Sequence, residues 1–236
     1  SKEQNLSDPT GYYCVGYSVV SFALDGTKMH RLVGQKGKKS EIELIATFLP
    51  RQVIDSMQSA LTAAGLEMST LTLEPIAAIN VLIPPTMRHL NLALVDVGAG
   101  TSDVALTAGG SVVGYGMVPC AGDEITEALS QAYLLDFNVA EKLKRQLHGK
   151  PRKLTVKDVL GASQKIDSAA LLASIEATVK DLAAQIAREI SALNETPPQA
   201  VLLVGGGALT PGLPEAVAKE LSLPAARVAV RLPETG

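Results

Sequence analysis

The sequence predicts an α/β lobe preceded by a smaller α+β unit, and three observations carry that prediction. Two apolar strands, Leu92–Val97 and Val201–Val204, each run directly into a glycine-rich turn. Between them, residues 167–193 place Leu172, Ile175, Val179, Leu182, Ile186, Ile190 and Leu193 at helical spacing, as one long amphipathic helix requires. Ahead of both, the chain reads β-β-β-α-β with short polar connections, the pattern of a separate small unit.

The elements follow in order. Residues 12–24 carry Tyr13, Val15, Tyr17, Val19, Val20, Phe22 and Leu24, a strand that Asp25-Gly26 turns into a hairpin. A second strand is expected over Lys28–Val33 and a third over Glu41–Phe48. Pro50 opens a helix that runs to Ala64, with Val53, Ile54, Met57 and Leu61 on one face and Gly65 as its stop. A strand over Thr70–Leu73 reaches Glu74-Pro75, and a short apolar helix over Ile76–Leu82 ends at Pro84-Pro85.

Near residue 90 the character changes. Strands are expected at Leu92–Val97, Ser102–Thr107 and Val112–Val118, joined by Gly98-Ala99-Gly100 and Gly109-Gly110. Helices follow at Asp123–Leu134 and Val139–Leu147, then a polar, basic stretch from His148 to Ser163 that reads as a loop or a short subdomain. After the long helix come Gly205-Gly206-Gly207, a helix at Leu213–Leu221 and a last strand near Val228. The predicted division is 1–88 for the small unit and 89–236 for the lobe.

Bulk properties narrow the function. A net charge of −3 over 236 residues offers no broad basic surface for nucleic acid. Lys36, Lys38 and Lys39 read as a solvated hairpin tip. Cys14 and Cys120 lack metal-ligand spacing, and His30, His89 and His148 lie far apart, so no zinc signature is present. No apolar run is long enough to cross a bilayer and no signal-peptide pattern opens the chain, which reads as cytosolic and soluble. The polar residues 1–10, the lack of an initial Met and the end at Arg231–Gly236 read as an excised piece of a longer protein.

The glycine turns point to a phosphate chain gripped at two places. Glycine allows close backbone approach, so successive N–H groups can converge on one anion. A carboxylate beside such a turn would repel phosphate, so Asp96 makes sense through a bound cation such as Mg²⁺, while Gly98, Gly100 and Thr101 reach the terminal phosphates. An ordinary hairpin turn is the plainer alternative, and Asp96 with the following Thr101-x-Asp103 weighs against it. The third glycine of a dinucleotide fingerprint falls on Asp103 and no Gly-Lys-Ser/Thr follows, so neither that motif nor a P-loop is present. Gly205-Gly206-Gly207 reads either as an anion or base contact or as a tight strand-to-helix turn. Glu74 before Pro75 reads either as a carboxylate placed to act on a water or as a plain helix start.

Together these residues resemble the actin-like ATPase superfamily, whose lobes have a ribonuclease H-like fold and which includes actin, MreB, the DnaK chaperones, sugar kinases and FtsA. Asp96–Asp103 is similar to its second phosphate motif, Val204–Ala208 to its adenosine motif, and Glu74-Pro75-x-Ala-Ala to the segment whose Glu orients the attacking water. Ala140-Glu141-x-x-Lys144 resembles the helix that lines ribose and adenine, and Pro119 with Gly122-Asp123-Glu124-Ile125-Thr126 resembles a turn and helix start of FtsA. Val15–Val19 and Leu24-Asp25-Gly26 look like the start of the FtsA subdomain that replaces the usual actin insertion, so FtsA is the nearest family and PilM of pili the second.

The resemblance implies ATP and Mg²⁺ as cofactors, with Glu74 and Asp96 catalytic and Asp96 reaching the metal through water. The remaining contacts it implies are Gly98, Gly100, Thr101, Gly122, Asp123, Glu141, Lys144, Gly205, Gly206 and Gly207. It also implies a division or membrane-complex scaffold that self-assembles into filaments or dimers when nucleotide is bound. Such a protein would be cytoplasmic, reaching the inner membrane face through other parts or partners. The alternatives are a PilM-like pilus component, a small-molecule kinase or chaperone-type ATPase, or an interaction domain whose nucleotide site has decayed.

Three departures stand out: the first phosphate motif is missing, Ala99 replaces a middle glycine, and the stretch after Lys144 is shorter than the FtsA subdomain that receives the FtsZ tail. The last argues against FtsZ as partner. With one hairpin missing, the 236-residue chain alone is expected to bind ATP poorly and hydrolyse it negligibly.

Overall fold

The computed structural model describes residues 11–29, 32–149, 152–194 and 196–231. Expectations resting on residues 1–10, on His30 and Arg31 within the second strand, and on 232–236 lie outside the described residues. The chain falls into two compact units, residues 1–89 with 109–113, and residues 90–108 with 114–236. The sequence division did not assign the short Gly109–Val113 stretch to the first of them.

In the first unit, β1 (Tyr12–Leu24) lies between β2 (Thr27–Met29) and β3 (Ser40–Pro50), antiparallel to both. Asp25 and Gly26 both take positive φ, 49° and 82°, which is what a tight two-residue hairpin between Leu24 and Thr27 demands. The Asp25 carboxylate also accepts from the Lys38 and Lys39 N–H groups, at 3.0 and 2.8 Å, bracing the lysine-rich loop. Pro50 precedes α1 (Arg51–Ala63), and Gly65 at φ +73° follows it.

Thr70–Leu73 forms no strand. The chain there has no regular structure, and Glu74 is instead the first residue of α2 (Glu74–Leu82), with Pro75 in its first turn. Leu71 and Leu73 supplied the alternation of a strand, but a strand needs a neighbouring edge to bond to.

The second unit carries a five-stranded sheet in the order β10-β9-β4-β5-β6. Its strands are β4 (Leu92–Val97), β5 (Ser102–Ala108), β6 (Ser111–Val118), β9 (Ala200–Val204) and β10 (Val228–Val230). Strand β4 is antiparallel to β5 and parallel to β9, which is parallel to β10. Leu92, Ala93, Leu94, Val95 and Val97 are all buried, so β4 is a central strand covered on both faces.

The helices are α3 (Gly122–Tyr133), α4 (Phe137–Lys144), α5 (Ser168–Leu193) and α6 (Leu213–Glu220). α4 begins earlier than the sequence pattern indicates, because the Asp136 carboxylate accepts from Asn138 N–H at 2.9 Å and fixes the first turn there. α5 starts behind Asp167, whose carboxylate accepts from Ala169 N–H at 3.0 Å. It buries Leu171, Ile175, Val179, Leu182, Ile186 and Ile190. Leu171 thus takes the core position that the sequence reading gave to Leu172. The polar segment after His148 forms a hairpin of β7 (Lys153–Lys157) and β8 (Ser163–Asp167). Cys14 and Cys120 are both free thiols.

Candidate functional site

The two glycine turns meet because β4 and β9 are parallel neighbours, with Asp96 opposite Val204. Both strands leave the sheet at the same end, and in open α/β sheets that carboxyl end is where ligands bind. Gly205 takes φ +85°, and a Cβ there would run into Asp96 Oδ1 and the Val97 carbonyl. A Cβ on Gly207 would lie 2.6 Å from Val97 Cγ1 and 2.9 Å from the Gly98 carbonyl. These two glycines are therefore required by the packing of one turn on the other. Gly100 and Gly206 differ: an added Cβ would meet nothing within 4 Å, so their open sides face space.

Helix α3 is locked onto the first turn. The Gly98 and Ala99 carbonyls accept from the Gly122 and Asp123 N–H groups at 3.1 and 2.8 Å, which uses the first donors of the helix. Gly98 N–H donates to the Thr101 carbonyl at 3.0 Å, closing the turn. Among the described residues no backbone carbonyl accepts from the Ala99 or Gly100 N–H group. Glu124 accepts from Ala121 N–H at 2.6 Å and steadies the helix entry.

Beyond α3, α4 contributes a compact charged group. Lys144 Nζ lies 2.6 Å from Glu141 Oε2 and donates to the Gly122 carbonyl and to Thr126 Oγ1, both at 2.8 Å. The Thr126 hydroxyl donates to Glu141 Oε2 at 2.6 Å, and Arg145 Nε donates to Glu141 Oε1 at 2.8 Å. Burial alone would raise the Glu141 carboxyl. The hydrogen bonds from Lys144, Thr126 and Arg145 outweigh it and hold the group down at about 2.

A cleft of about 540 Å³ opens where these pieces converge. Gly98 and Ala99 of the first turn, Gly206 and Gly207 of the second, Asp123 of α3, and Glu141 and Lys144 of α4 line it. Arg145, His148, Leu209 and Thr210 complete the lining, and the sequence reading had not singled them out. The i+4 and i+7 spacing of Arg145 and His148 from Glu141 was the signal that could have found those two. Thr126 carried a fainter one, as the fourth residue after Gly122.

The other predicted site residues sit differently. Gly122 lies behind the cleft, where a Cβ would be 3.1 Å from the Gly98 carbonyl and 3.7 Å from Gly207 Cα. Asp96 is half-buried against Gly205. Gly205 is exposed at the end of β9, and Gly100 and Thr101 are exposed at the tip of their turn, outside the cleft lining. Glu74 belongs to the first unit, at the start of α2. A second cavity of about 550 Å³, between α5 and α6, touches Gly212 but none of the predicted site residues. Among the described residues no three His, Cys, Asp or Glu side chains gather as a metal site. No helix among them is long and apolar enough to cross a membrane.

Comparison with known proteins adds a family. The family model for cell division protein FtsA matches residues 93–235. The FtsA of Bacillus subtilis is 25% identical over 186 residues, covering 75% of this chain and 42% of that protein. The FtsA of Neisseria meningitidis serogroup B is 22% identical over 203 residues, covering 81% and 49%. The chain thus spans less than half the length of these relatives. Among solved structures, the PilM-PilN type IV pilus biogenesis complex aligns with a TM-score of 0.69 at 18% identity, covering 96% of this chain and 60% of that one. MreB5 of Spiroplasma citri bound to ADP aligns at 0.62 and 18%, covering 78% and 61%. These likenesses show the actin-like ATPase fold.

Proposed function

This chain belongs to the FtsA family of cell division proteins, and from that premise we propose that its α/β lobe holds ATP in the cleft at the ends of β4 and β9. One observation carries the reading. Two glycine turns pack on each other and leave an open cleft whose far wall is the Glu141–Lys144 pair. The phosphates would lie against Gly98–Thr101 and the open side of Gly206, with the ribose towards Glu141. Asp123 and Gly122 fix the wall between them.

Mg²⁺ fits here as an ion carried by the phosphates. No protein cage exists among the described residues, and Mg²⁺ commonly keeps its waters and takes only one or two carboxylates. Asp96 would reach it through water, and the ion when bound would neutralise phosphate charge. Glu74 is assigned the orientation of the attacking water, on the strength of the family motif.

In this reading the protein acts in the cytoplasm as a division scaffold, assembling into dimers or filaments with nucleotide bound and reaching the membrane through other parts or partners. A pilus-assembly role is the second reading; the PilM likeness that favours it is one of fold alone.

Calorimetric titration of the full-length protein with ATP at fixed Mg²⁺ tests the site. Asp96→Ala should weaken binding about 10-fold or more, as losing a charged contact does. Unchanged affinity would remove Asp96 from the site. Glu74→Ala should leave binding nearly intact and slow hydrolysis by about 100-fold. Sedimentation with and without nucleotide tests the assembly.

A further inference from the structure

We propose that the lysine-rich tip between β2 and β3 is a contact for an anionic lipid surface, with Lys28, Lys36, Lys38 and Lys39 meeting phosphate-bearing headgroups. The inference concerns the first unit and stands apart from the ATP reading above.

Charge and shape both mark this tip. Between Thr27 and Ser40 the chain carries Lys28, Arg31, Lys36, Lys38 and Lys39 and no Asp or Glu. Outside that stretch acidic residues outnumber basic ones, so the tip is a local positive spot on an acidic chain. Of its acidic neighbours, Asp25 spends its carboxylate on the Lys38 and Lys39 N–H groups, and Glu41 pairs with Lys39. Lys28, Lys36 and Lys38 are exposed and form no ion pair among the described residues. The loop also has a fixed form. Asp25 N–H donates to the Lys39 carbonyl at 2.8 Å, and a Cβ on Gly37 would lie 2.5 Å from Leu24 Cγ, so the backbone between the lysines is pressed onto the end of β1. The Leu32 carbonyl accepts from Gln35 N–H at 3.0 Å, in a turn whose third residue, Gly34, takes φ +88°. Val33 at that turn is 73% exposed.

Position and composition choose the occupant. β1 and β3 pair with Tyr12 opposite Pro50 and Leu24 opposite Ser40, so the tip stands at one end of a ribbon about 40 Å long and α1 begins at the other. Residues 33–40 are all exposed, which is a tip and not the groove or free strand that seats a peptide. No aromatic residue lies between Thr27 and Ser40 for a base to stack on, and a long nucleic acid would run on over acidic surface. A lipid surface needs only what the tip offers. Its lysines reach the headgroup charge, and exposed apolar side chains, Val33 in the loop and Ile42 and Leu44 on the strand below it, enter between headgroups.

The experiment is co-sedimentation of the 236-residue chain with vesicles of phosphatidylcholine, alone or with about one-third phosphatidylserine. The chain should bind the anionic vesicles at low salt, release them as salt rises, and ignore the neutral ones. Lys36→Gln, Lys38→Gln and Lys39→Gln combined should weaken binding by about 100-fold, at about 5-fold per lysine. The same change at Lys153, Lys157 and Lys165, exposed on the β7–β8 hairpin, should weaken it by less than about 5-fold. Equal loss from the two sets would reduce the effect to net charge and overturn the proposal. Thermal unfolding of each variant should be unchanged, since every replaced side chain is exposed, and it separates loss of contact from loss of fold. Binding to neutral and anionic vesicles alike, or to neither, would overturn the proposal. Tighter binding of a poly-glutamate peptide or a DNA oligonucleotide, at equal negative charge, would also overturn it by making the tip a protein or nucleic-acid contact. Inorganic phosphate should fail to displace the vesicles, and displacement would assign the tip to a free anion instead. No arm involves nucleotide, so the ATP site stands or falls separately.

Discussion

The two units of this chain bury their apolar residues very differently. In the first, no described side chain of β1, β3 or α1 is buried, and Tyr17, Ile42, Leu44 and Phe48 are 74, 51, 50 and 45% exposed. In the second, β4 buries five of its six residues, and α5 buries a continuous stripe from Leu171 to Ile190. Both units have the apolar patterning of regular elements. Patterning fixes which face is apolar, and whether that face becomes core depends on what covers it. The glycine turns rest on the unit whose central strand and long helix are buried. That fits their needs, since converging turns must be held to fractions of an ångström by what lies beneath them.

The contrast is sharpest in large-to-small substitutions. Leu94→Ala, at a fully buried position of β4, should cost about 2–5 kcal/mol, and Leu44→Ala, half-exposed in β3, under about 1 kcal/mol. Denaturant unfolding checks both, and equal losses would break the distinction. Within the site the same logic separates neighbouring glycines. Gly205→Ala must place a Cβ against Asp96 and Val97 at a positive φ, and should cost about 2 kcal/mol or more. Gly206→Ala meets nothing, so stability should change by less than about 1 kcal/mol while ATP binding weakens. A Gly206→Ala protein with unaltered ATP affinity would take that turn out of the phosphate site.

Acid should probe the base of the cleft next. The Glu141 carboxyl is held at about 2, below its ordinary 4.5, so the folded state binds its proton less readily than the unfolded one. Its contribution is fully present above pH 4.5 and is lost as pH falls from there towards 2. The loss should be about 2 kcal/mol after allowance for partial exposure. Glu141→Gln should flatten that part of the pH–stability curve, and an unchanged slope would contradict the assigned bonds. The smallest effect belongs to the exposed Glu176–Lys180 pair on α5, where Lys180→Ala should leave the thermal unfolding midpoint nearly unchanged.

Much of this was legible in the residues. Strand β4, the glycine turns, the long helix α5 and the Asp25-Gly26 hairpin all follow from local patterns whose period or turn chemistry is unambiguous. The Thr70–Leu73 strand failed for the complementary reason: a strand is defined by its partner, and three or four residues carry no information about one. α4 began earlier than its apolar spacing indicated because the Asp136 cap set its start. Thr126 was read only as part of a helix start, because the bond from its hydroxyl to Glu141, fifteen residues on, is set by the packing of α3 on α4.

By itself the sequence determined that two glycine turns end two apolar strands, that an acidic residue stands beside the first, and that a Glu and a Lys share one helix face. It could not determine that the turns touch. That came from β4 and β9 lying side by side and parallel, a pairing between residues far apart in the chain that no local preference encodes. The same packing decided which glycines the fold requires and which it leaves open. Gly205 and Gly207 are pressed against Asp96, Val97 and Gly98, while Gly100 and Gly206 open to space. Glycine is required wherever a second backbone comes too close for a Cβ, and only the folded chain says where that is.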